Sequence, residues 1–376
     1  MSDFSAQDYA YMARALQLAA KGRFSSAPNP NVGCVLVKAG QIIGEGYHLR
    51  AGEPHAEINA MQDALAKGHS LSGASCYVSL EPCCHYGRTP PCAKALIEAE
   101  IATVVMAMRD PNPQVAGGGM TMLQAAGVSV KSGLLAVQAE RLNAGFLMRM
   151  RVNRPRVRLK IAVSLDGRTA LANGQSQWIT SPLSRQDVQK ERAQSHAILS
   201  TAETVIADDA SLNVRLTQLS ASIKLPEPIR QPVRVIIDRR QQLTGQERLF
   251  SLPGLIIHVV DKPALRTLGQ SLVIPACENW LAQVLSVLAA EQINDLWVEA
   301  GATFSGALLE AGLVDELVIY QASLSLGCHA REMAVTHELS ELSQATRWRL
   351  IEQRRIGDDL KYIYQPKEAN SCLQES

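Results

Sequence analysis

Residues 34–92 gather Cys34, Cys76, Cys83, Cys84 and Cys92 together with His48, His55, His69 and His85. No other feature constrains the fold as strongly. The chain has 8 cysteines in all. It opens Met1-Ser2-Asp3-Phe4, without the basic region and apolar core of a signal peptide, so disulfides are not the expected use of those thiols. In a reducing compartment, a His/Cys cluster points to metal or thiol chemistry. The expected location is the cytoplasm.

At roughly 100–200 residues per domain, 376 residues allow about two domains. With 47% apolar and 19% charged residues the composition is that of a globular protein. No apolar run approaches the ~18 residues that span a bilayer, so no membrane partner is expected. Residues 1–150 carry 12 Lys and Arg against 11 Asp and Glu, and the remainder carries 25 against 25. Nucleic-acid binders usually show a basic surplus, so a large nucleic-acid surface is not expected either.

The first half alternates helical and strand patterns. Residues 7–21 read as an amphipathic helix, residues 33–37 and 42–44 as a hairpin around Ala39-Gly40, and residues 55–66 as a helix closed by Gly68. A buried strand is expected over 74–80, a helix from Cys92 to about Glu100, and a strand over 104–108. This predicts an α/β layer arrangement. The basic segment 149–155, ending in Pro155, is the expected boundary between domains 1–150 and 151–366. In the second domain strands are expected over 157–163, 197–200, 233–238, 255–260, 293–299 and 315–323. Residues 214–232 read as a polar loop, and residues 367–376 as a disordered tail.

The chemistry of the cluster can be read residue by residue. A catalytic zinc takes three protein ligands and keeps a position for water. His55, Cys83 and Cys92 supply one imidazole and two thiolates. The metal brings the pKa of bound water to about 7, and a carboxylate must then shuttle protons. Glu57 suits that role. Two residues apart on a helix point about 200° apart, so His55 and Glu57 can flank one site only at a helix N-terminus. Cys92 follows Pro90-Pro91 at another helix start, where thiolates are favoured. Zinc deaminases carry a His-x-Glu and Pro-Cys-x-x-Cys pattern. Here the cysteines are separated by eight residues instead of two. The rival reading, a structural zinc site, needs a fourth ligand from Cys84 or His85. Cys84, adjacent to Cys83, is expected to point elsewhere. Cys34 and Cys76 read as core, His69 as surface.

The run Glu81-Pro82-Cys83-Cys84-His85-Tyr86-Gly87-Arg88-Thr89-Pro90-Pro91-Cys92 resembles the zinc segment of the bifunctional deaminase/reductase family of riboflavin biosynthesis. Asn29-Pro30-Asn31-Val32-Gly33-Cys34-Val35 and Asp110-Pro111-Asn112-Pro113 are similar to further motifs of that family. The resemblance implies a cytidine-deaminase-like three-layer α/β/α domain in which Asn29, His48, His85 and Arg88 contact a phosphorylated pyrimidine. Asn59 departs from it, since similar sequences often carry His there.

In the second half, Leu296 to Ala307 reads as strand, glycine turn and helix. Such a helix start can hold a phosphate, but the spacing is neither a P-loop nor a Rossmann turn, and simple strand–helix packing explains it equally well. Lys160-Ile161-Ala162-Val163-Ser164-Leu165-Asp166-Gly167-Arg168, Ser176-Gln177-Trp178-Ile179-Thr180 and Val298-Glu299-Ala300-Gly301 resemble the reductase half of the same family. That resemblance implies a dihydrofolate-reductase-like α/β domain using NADPH. Ala162, Trp178, Thr204, Asp208 and the turn Gly301, Ala302, Thr303, Phe304, Ser305, Gly306 and Ala307 would line the cofactor. Lys160, Ser176, Arg192, Leu212, Arg215 and Glu299 would hold the substrate. Arg239 departs, where similar sequences often have Ser or Thr. Without the resemblance Trp178 reads as core and Asp208-Asp209 as a solvated turn or helix cap. The resemblance also implies a homodimer. Two rivals stand beside this reading: a nucleic-acid or tRNA deaminase with a C-terminal binding module, and a scaffold protein with structural zinc.

Overall fold

The computed structural model describes residues 4–85, 90–112, 115–223 and 225–367. The chain divides into two compact units between Asn153 and Arg154.

In the first unit the elements run α1 (Ala6–Ala19), β1 (Gly33–Lys38), β2 (Gln41–Tyr47), α2 (Ala56–Ala66), β3 (Ser75–Val78), α3 (Cys92–Glu98), β4 (Thr103–Met106), α4 (Gly118–Ala125), β5 (Ser129–Ser132), α5 (Ala136–Leu142) and α6 (Ala144–Val152). Among the described residues they form a five-stranded sheet in the order β2-β1-β3-β4-β5. β1 is antiparallel to both neighbours, and β3, β4 and β5 are parallel. Alternate strand residues face opposite sides. Cys34, Leu36, Cys76 and Val78 therefore pack with the Ala face of α2 and with α3, while Val35, Val37 and Tyr77 pack with α1 and α6. This is a three-layer α/β/α unit.

The contact between α2 and β2 is backbone on backbone. A Cβ on Gly44 would lie 2.3 Å from the Ala60 carbonyl oxygen, and one on Gly46 would lie 2.4 Å from that of Ala56. Ala56, Ala60 and Ala64 are fully buried against these glycines. Small residues on both surfaces thus fix where α2 begins, and with it the position of His55.

The second unit has β6 (Arg156–Val163), β7 (Arg168–Ala170), α7 (Pro182–Gln194), β8 (Ala197–Thr201), α8 (Ala202–Asp208), β9 (Val233–Ile237), β10 (Ile256–Val260), β11 (Gln270–Val273), α9 (Trp280–Ala290), β12 (Asp295–Val298), α10 (Ala302–Glu310), β13 (Glu316–Gln321), β14 (Arg331–Glu332), β15 (Trp348–Ile356) and β16 (Asp359–Pro366). Its main sheet has the order β11-β10-β9-β8-β12-β6-β13-β16-β15, and β7 pairs with β14. From β11 to β13 the strands are parallel, and the β15–β16 hairpin is antiparallel. Helices on both faces bury the central strands, which is why β8 and β10 read as continuous apolar runs.

Three local expectations change. The basic segment at the boundary is the end of helix α6, closed by Asn153 at φ 56°. Pro366 ends β16 opposite Trp348, and the Lys367 N–H donates to the Arg347 carbonyl, so the chain is still sheet-bound at the start of the expected tail. Residues 368–376 lie outside the described residues. Trp178 is 63% exposed and not core, stacked under the Arg185 guanidinium at 4.6 Å.

Candidate active site

The metal cluster forms where two helices start. His55 is the N-cap of α2 in extended conformation. Pro91, with its fixed backbone, is the N-cap of α3, so Cys92 opens that helix. Cys83 comes from the loop after β3. The His55 Nδ1 atom lies 3.6 Å from the Cys83 sulfur and 3.3 Å from the Cys92 sulfur, and all three donor atoms fall within 4.8 Å of one another. Tetrahedral zinc with Zn–S near 2.3 Å and Zn–N near 2.0 Å would space such donors roughly 3.5–3.8 Å apart. The donor set therefore fits zinc. Among the described residues no fourth ligand joins it, and the Cys84 sulfur turns instead to the Val115 carbonyl at 3.9 Å. A closed structural site is not built here.

Without a metal the electrostatics favour one thiolate, Cys83, hold its hydrogen-bond donor Cys92 in the thiol form, and place a base nearby. A hydrogen bond from the Cys92 thiol, working against burial and aided by His55 and the Cys92 N–H, brings the Cys83 pKa down to about 4. Glu57, in the first turn of α2, is buried. Burial, followed by the charge of Cys83, pushes its carboxyl up to about 7, the range in which a group can both take and give a proton near neutral pH.

The expected substrate residues gather partly around this point. His48 is buried and its ring meets that of His55 edge-on at 5.2 Å between centroids. Its Nδ1 lies 3.2 Å from the Pro54 carbonyl and its Nε2 lies 3.0 Å from the Asn29 side-chain nitrogen. The imidazole therefore carries its proton on Nδ1 and accepts from Asn29 at Nε2; burial, the larger influence, keeps it neutral. His85 has a buried Nδ1 with no partner among the described residues. Arg88 lies outside the described residues.

Supporting residues were not legible as such in the sequence. The buried Glu81 carboxylate accepts from the N–H groups of Asp110, Gly117 and Met120, at 3.1–3.2 Å. It thereby ties the Cys83 loop to the start of α4. Asn143 and Asn31 exchange two bonds, at 2.7 and 3.0 Å, which fix the loop carrying Asn29. Asn59 donates to the carbonyls of Tyr47 and Pro54 at 2.9 and 3.2 Å. Its side chain touches no metal-donor atom, but it shares the Pro54 carbonyl with His48.

In the second unit a charged cluster lies at the carboxyl ends of the parallel strands, where open α/β sheets bind ligands. Arg192, in the last turn of α7, grips Glu299 with two bonds of 2.6 and 3.0 Å. The Trp297 N–H donates to the same carboxylate at 2.9 Å, and Lys160 of β6 lies 3.9 Å away. Burial alone would raise the Glu299 pKa, but Arg192 and Lys160 outweigh it and hold it at about 2. Burial lowers the Lys160 pKa and raises that of Asp208, which takes a hydrogen bond from Gln177 and the charge of Lys160. Arg215 donates to Ser211.

Other expected residues sit differently. The Leu212 side chain is buried in the core, so only its backbone, at φ 46°, is free to meet a ligand. Ala162 and Ser176 are half-buried, Ala162 opposite Tyr320 of β13. Thr204 lies in the first turn of α8, its hydroxyl 3.1 Å from that of Thr201. The turn after β12 splits in two. Gly301 and Thr303 are exposed, with Ala302 half-buried between them, whereas Ser305 and Gly306 are buried, and Phe304 packs on the core. A Cβ on Gly306 would strike the Val335 carbonyl, so that glycine serves packing; Ala307 is half-buried on the same helix. The start of α10, with open space before Gly301, fits a cofactor phosphate. Arg239, the departing residue, bonds Asp261 at 3.2 Å and lies 4.9 Å over the Trp280 ring.

Comparison with known proteins converges on the same two units. The model for the cytidine and deoxycytidylate deaminase zinc-binding region matches residues 5–108, and that for the RibD C-terminal domain matches residues 155–362. The chain is 51% identical to riboflavin biosynthesis protein RibD of Haemophilus influenzae over 374 residues, covering 98% of this chain and 100% of that one. It is 50% identical to the Escherichia coli protein of the same name over 362 residues, covering 94% and 98%. The solved structure of Acinetobacter baumannii RibD superposes with a TM-score of 0.89 at 43% identity, covering 96% of this chain and 99% of that one. With two joined units, a zinc-fitting donor set beside a buried glutamate, and relatives matched over nearly their whole length, the chain belongs to the RibD family of bifunctional riboflavin-biosynthesis deaminase/reductases.

Proposed function

We propose that the first unit deaminates 2,5-diamino-6-ribosylamino-4(3H)-pyrimidinone 5′-phosphate and that the second reduces the ribosyl group of the product to ribityl. A relative from Thermotoga maritima, 32% identical over 96% of this chain, is described as a diaminohydroxyphosphoribosylaminopyrimidine deaminase and 5-amino-6-(5-phosphoribosylamino)uracil reductase. The observation that carries the reading is the buried Glu57 beside the His55, Cys83 and Cys92 donors.

Zinc held by those three residues supplies the acidity that makes water a nucleophile at neutral pH. Glu57 takes one proton of the attacking water and gives it to the ring nitrogen; it then takes the second proton, from the hydroxyl now on the ring carbon, and gives it to the amino group, which leaves as ammonia as the carbonyl forms. Its raised pKa suits both directions of transfer. Asn29, His48, His85 and Arg88 hold the pyrimidine and its phosphate, with the neutral His48 fixed in one tautomer by Pro54.

NADPH held by Ala162, Trp178, Thr204, Asp208 and the turn at Gly301 supplies the hydride for the second reaction. Arg192 and Arg215 take the phosphate, and Ser176, Leu212 and Glu299 position the substrate. Lys160 and Asp208, each shifted towards neutrality by burial and each acting on the other's charge, are the two candidates for delivering a proton to the opening sugar. A homodimer in the cytoplasm completes this reading.

The test is to give the purified, zinc-loaded protein the diaminopyrimidinone phosphate with and without NADPH. Without it the deaminated ribosyl compound should accumulate; with it the ribityl product should form. Glu57→Gln should keep zinc, lose deamination by a factor on the order of 10² or more, and still reduce the deaminated compound. Normal deamination by that variant would remove Glu57 from the catalytic role.

A further inference from the structure

Three residues of α7 share one face of the helix, at i, i+4 and i+7: Arg185, Gln189 and Arg192. Each reaches a different wall of the proposed reductase site. Arg192 grips Glu299. The buried Gln189 accepts from the Arg215 N–H at 2.8 Å. Arg185 turns to the loop that carries Ser176 and Trp178. Its guanidinium donates to the Thr180 carbonyl at 2.7 Å and lies 4.6 Å from the centre of the Trp178 ring. Arg192 and Arg215 already have a part in the proposed reaction, and Arg185 has none.

Trp178 is the unusual member of this wall. Tryptophan is highly buried on average, yet this ring is 63% exposed. Among the described residues its indole N–H makes no hydrogen bond, and its ring meets no other aromatic or cationic group. A free ring on a loop samples several side-chain rotamers. Every rotamer that turns the ring away from a ligand lowers the apparent affinity by its population. The guanidinium stack removes part of that freedom, and the arginine is itself fixed. The buried Asp359 carboxylate, at the start of β16, accepts from the Ser181 N–H at 2.8 Å and from the Ser184 hydroxyl at 2.6 Å. These bonds pin the start of α7 just before Arg185. On the other side of the ring, Gln177 donates to Asp208.

We infer that Arg185 is a positioning residue of the reductase: stacked on Trp178 and bonded to the Thr180 carbonyl, it holds the exposed face of the indole ready for NADPH. The inference rests on the proposed place of Trp178 in the cofactor wall. Arg185 touches no ligand in this role and acts through the ring. An arginine that met a cofactor phosphate directly would act with or without Trp178, and this difference is measurable.

The experiment measures the NADPH dissociation constant of the full zinc-loaded chain by fluorescence titration, with Trp178→Ala, Arg185→Ala and the double variant forming a cycle. Trp178→Ala should weaken NADPH binding. Arg185→Ala should weaken it about two- to fivefold, as loss of an exposed cation–π contact does, and should do nothing further in a chain that lacks Trp178. Arg185→Gln, which keeps a donor for Thr180 and loses the cation over the ring, should match Arg185→Ala. KM for the deaminated ribosylaminouracil phosphate at saturating NADPH should change less than about twofold. Trp178 emission, isolated by subtracting that of Trp178→Phe, should become more open to acrylamide quenching once Arg185 is replaced. Equal losses from Arg185→Ala with and without Trp178 overturn the inference, by making Arg185 a direct cofactor contact. Wild-type NADPH affinity in Arg185→Ala or Arg185→Gln overturns it too, while the cofactor role of Trp178 stands. If Trp178→Ala binds NADPH as tightly as the wild type, the assignment of Trp178 fails and the inference fails with it.

Discussion

At the scale of single residues, the two departures from the family pattern have physical accounts. Asn59 stands where similar sequences often have His. Its amide bridges Tyr47 and Pro54 and reaches no ligand atom. Asn59→Ala should therefore cost about 1–2 kcal/mol of stability, measured by urea unfolding, with zinc content unchanged; loss of zinc would contradict this assignment. Arg239 is held by Asp261 and Trp280, which no spacing pattern could reveal because the partners come from other elements. Gly301 is informative for the opposite reason. Its φ of −70° suits any residue, and a Cβ there would meet nothing within 4 Å. Neither strain nor clash demands glycine, so Gly301→Leu should fold normally and bind NADPH at least several-fold more weakly by fluorescence titration. Equal binding by both forms would take the turn out of the cofactor site.

Elements were legible where hydrophobic period and punctuation agreed. The β1–β2 hairpin turns at Ala39 and Gly40, both with positive φ, and α2 ends before Gly68 at φ 79°, as glycine at that position predicts. The β15–β16 hairpin was not legible. β15 is exposed along most of its length, so it lacks the alternation that marks a half-buried strand. β5 was missed for a similar reason, being a four-residue edge strand with no buried residue. The seating of α2 gives a prediction at this scale. Because Gly46 lies against the Ala56 carbonyl, Gly46→Ala should lift the helix start that carries His55 and Glu57. The expected loss is about 1–3 kcal/mol, seen by thermal unfolding, together with weaker zinc retention in a chelator competition. An unchanged melting temperature would mean that the layer has room to give.

For the whole molecule, buried charge makes the second unit acid-sensitive. Glu191 pairs with Arg158 and Lys361 at 2.8 and 2.6 Å. Burial favours its neutral form, yet those cations hold its pKa at about 2, as Arg192 and Lys160 do for Glu299. A carboxyl depressed from its ordinary 4.5 contributes stability that is fully present above that value. This stability is lost as pH falls through that range towards about 2. All four tryptophans, Trp178, Trp280, Trp297 and Trp348, lie in this unit, so tryptophan fluorescence reports on it alone. Its melting temperature should fall steadily below about pH 4.5, and a flat profile down to pH 2 would show that these pairs contribute no pH-linked stability.

The sequence by itself determined the chemistry of the first site. Ligand types, the spacing of His55 and Glu57, and prolines before Cys92 are local features, and helix starts are locally encoded. It also determined the alternation of strands and helices, because periodicity is local. Tertiary structure alone decided what surrounds each group. Only folding sets Glu57 in a buried position, turns Cys84 away from the cluster, exposes Trp178, and brings Arg192 onto Glu299 from a segment over 100 residues away. Burial and electrostatic coupling depend on distances through space, and residues far apart along the chain carry no mark of the neighbours that packing will give them.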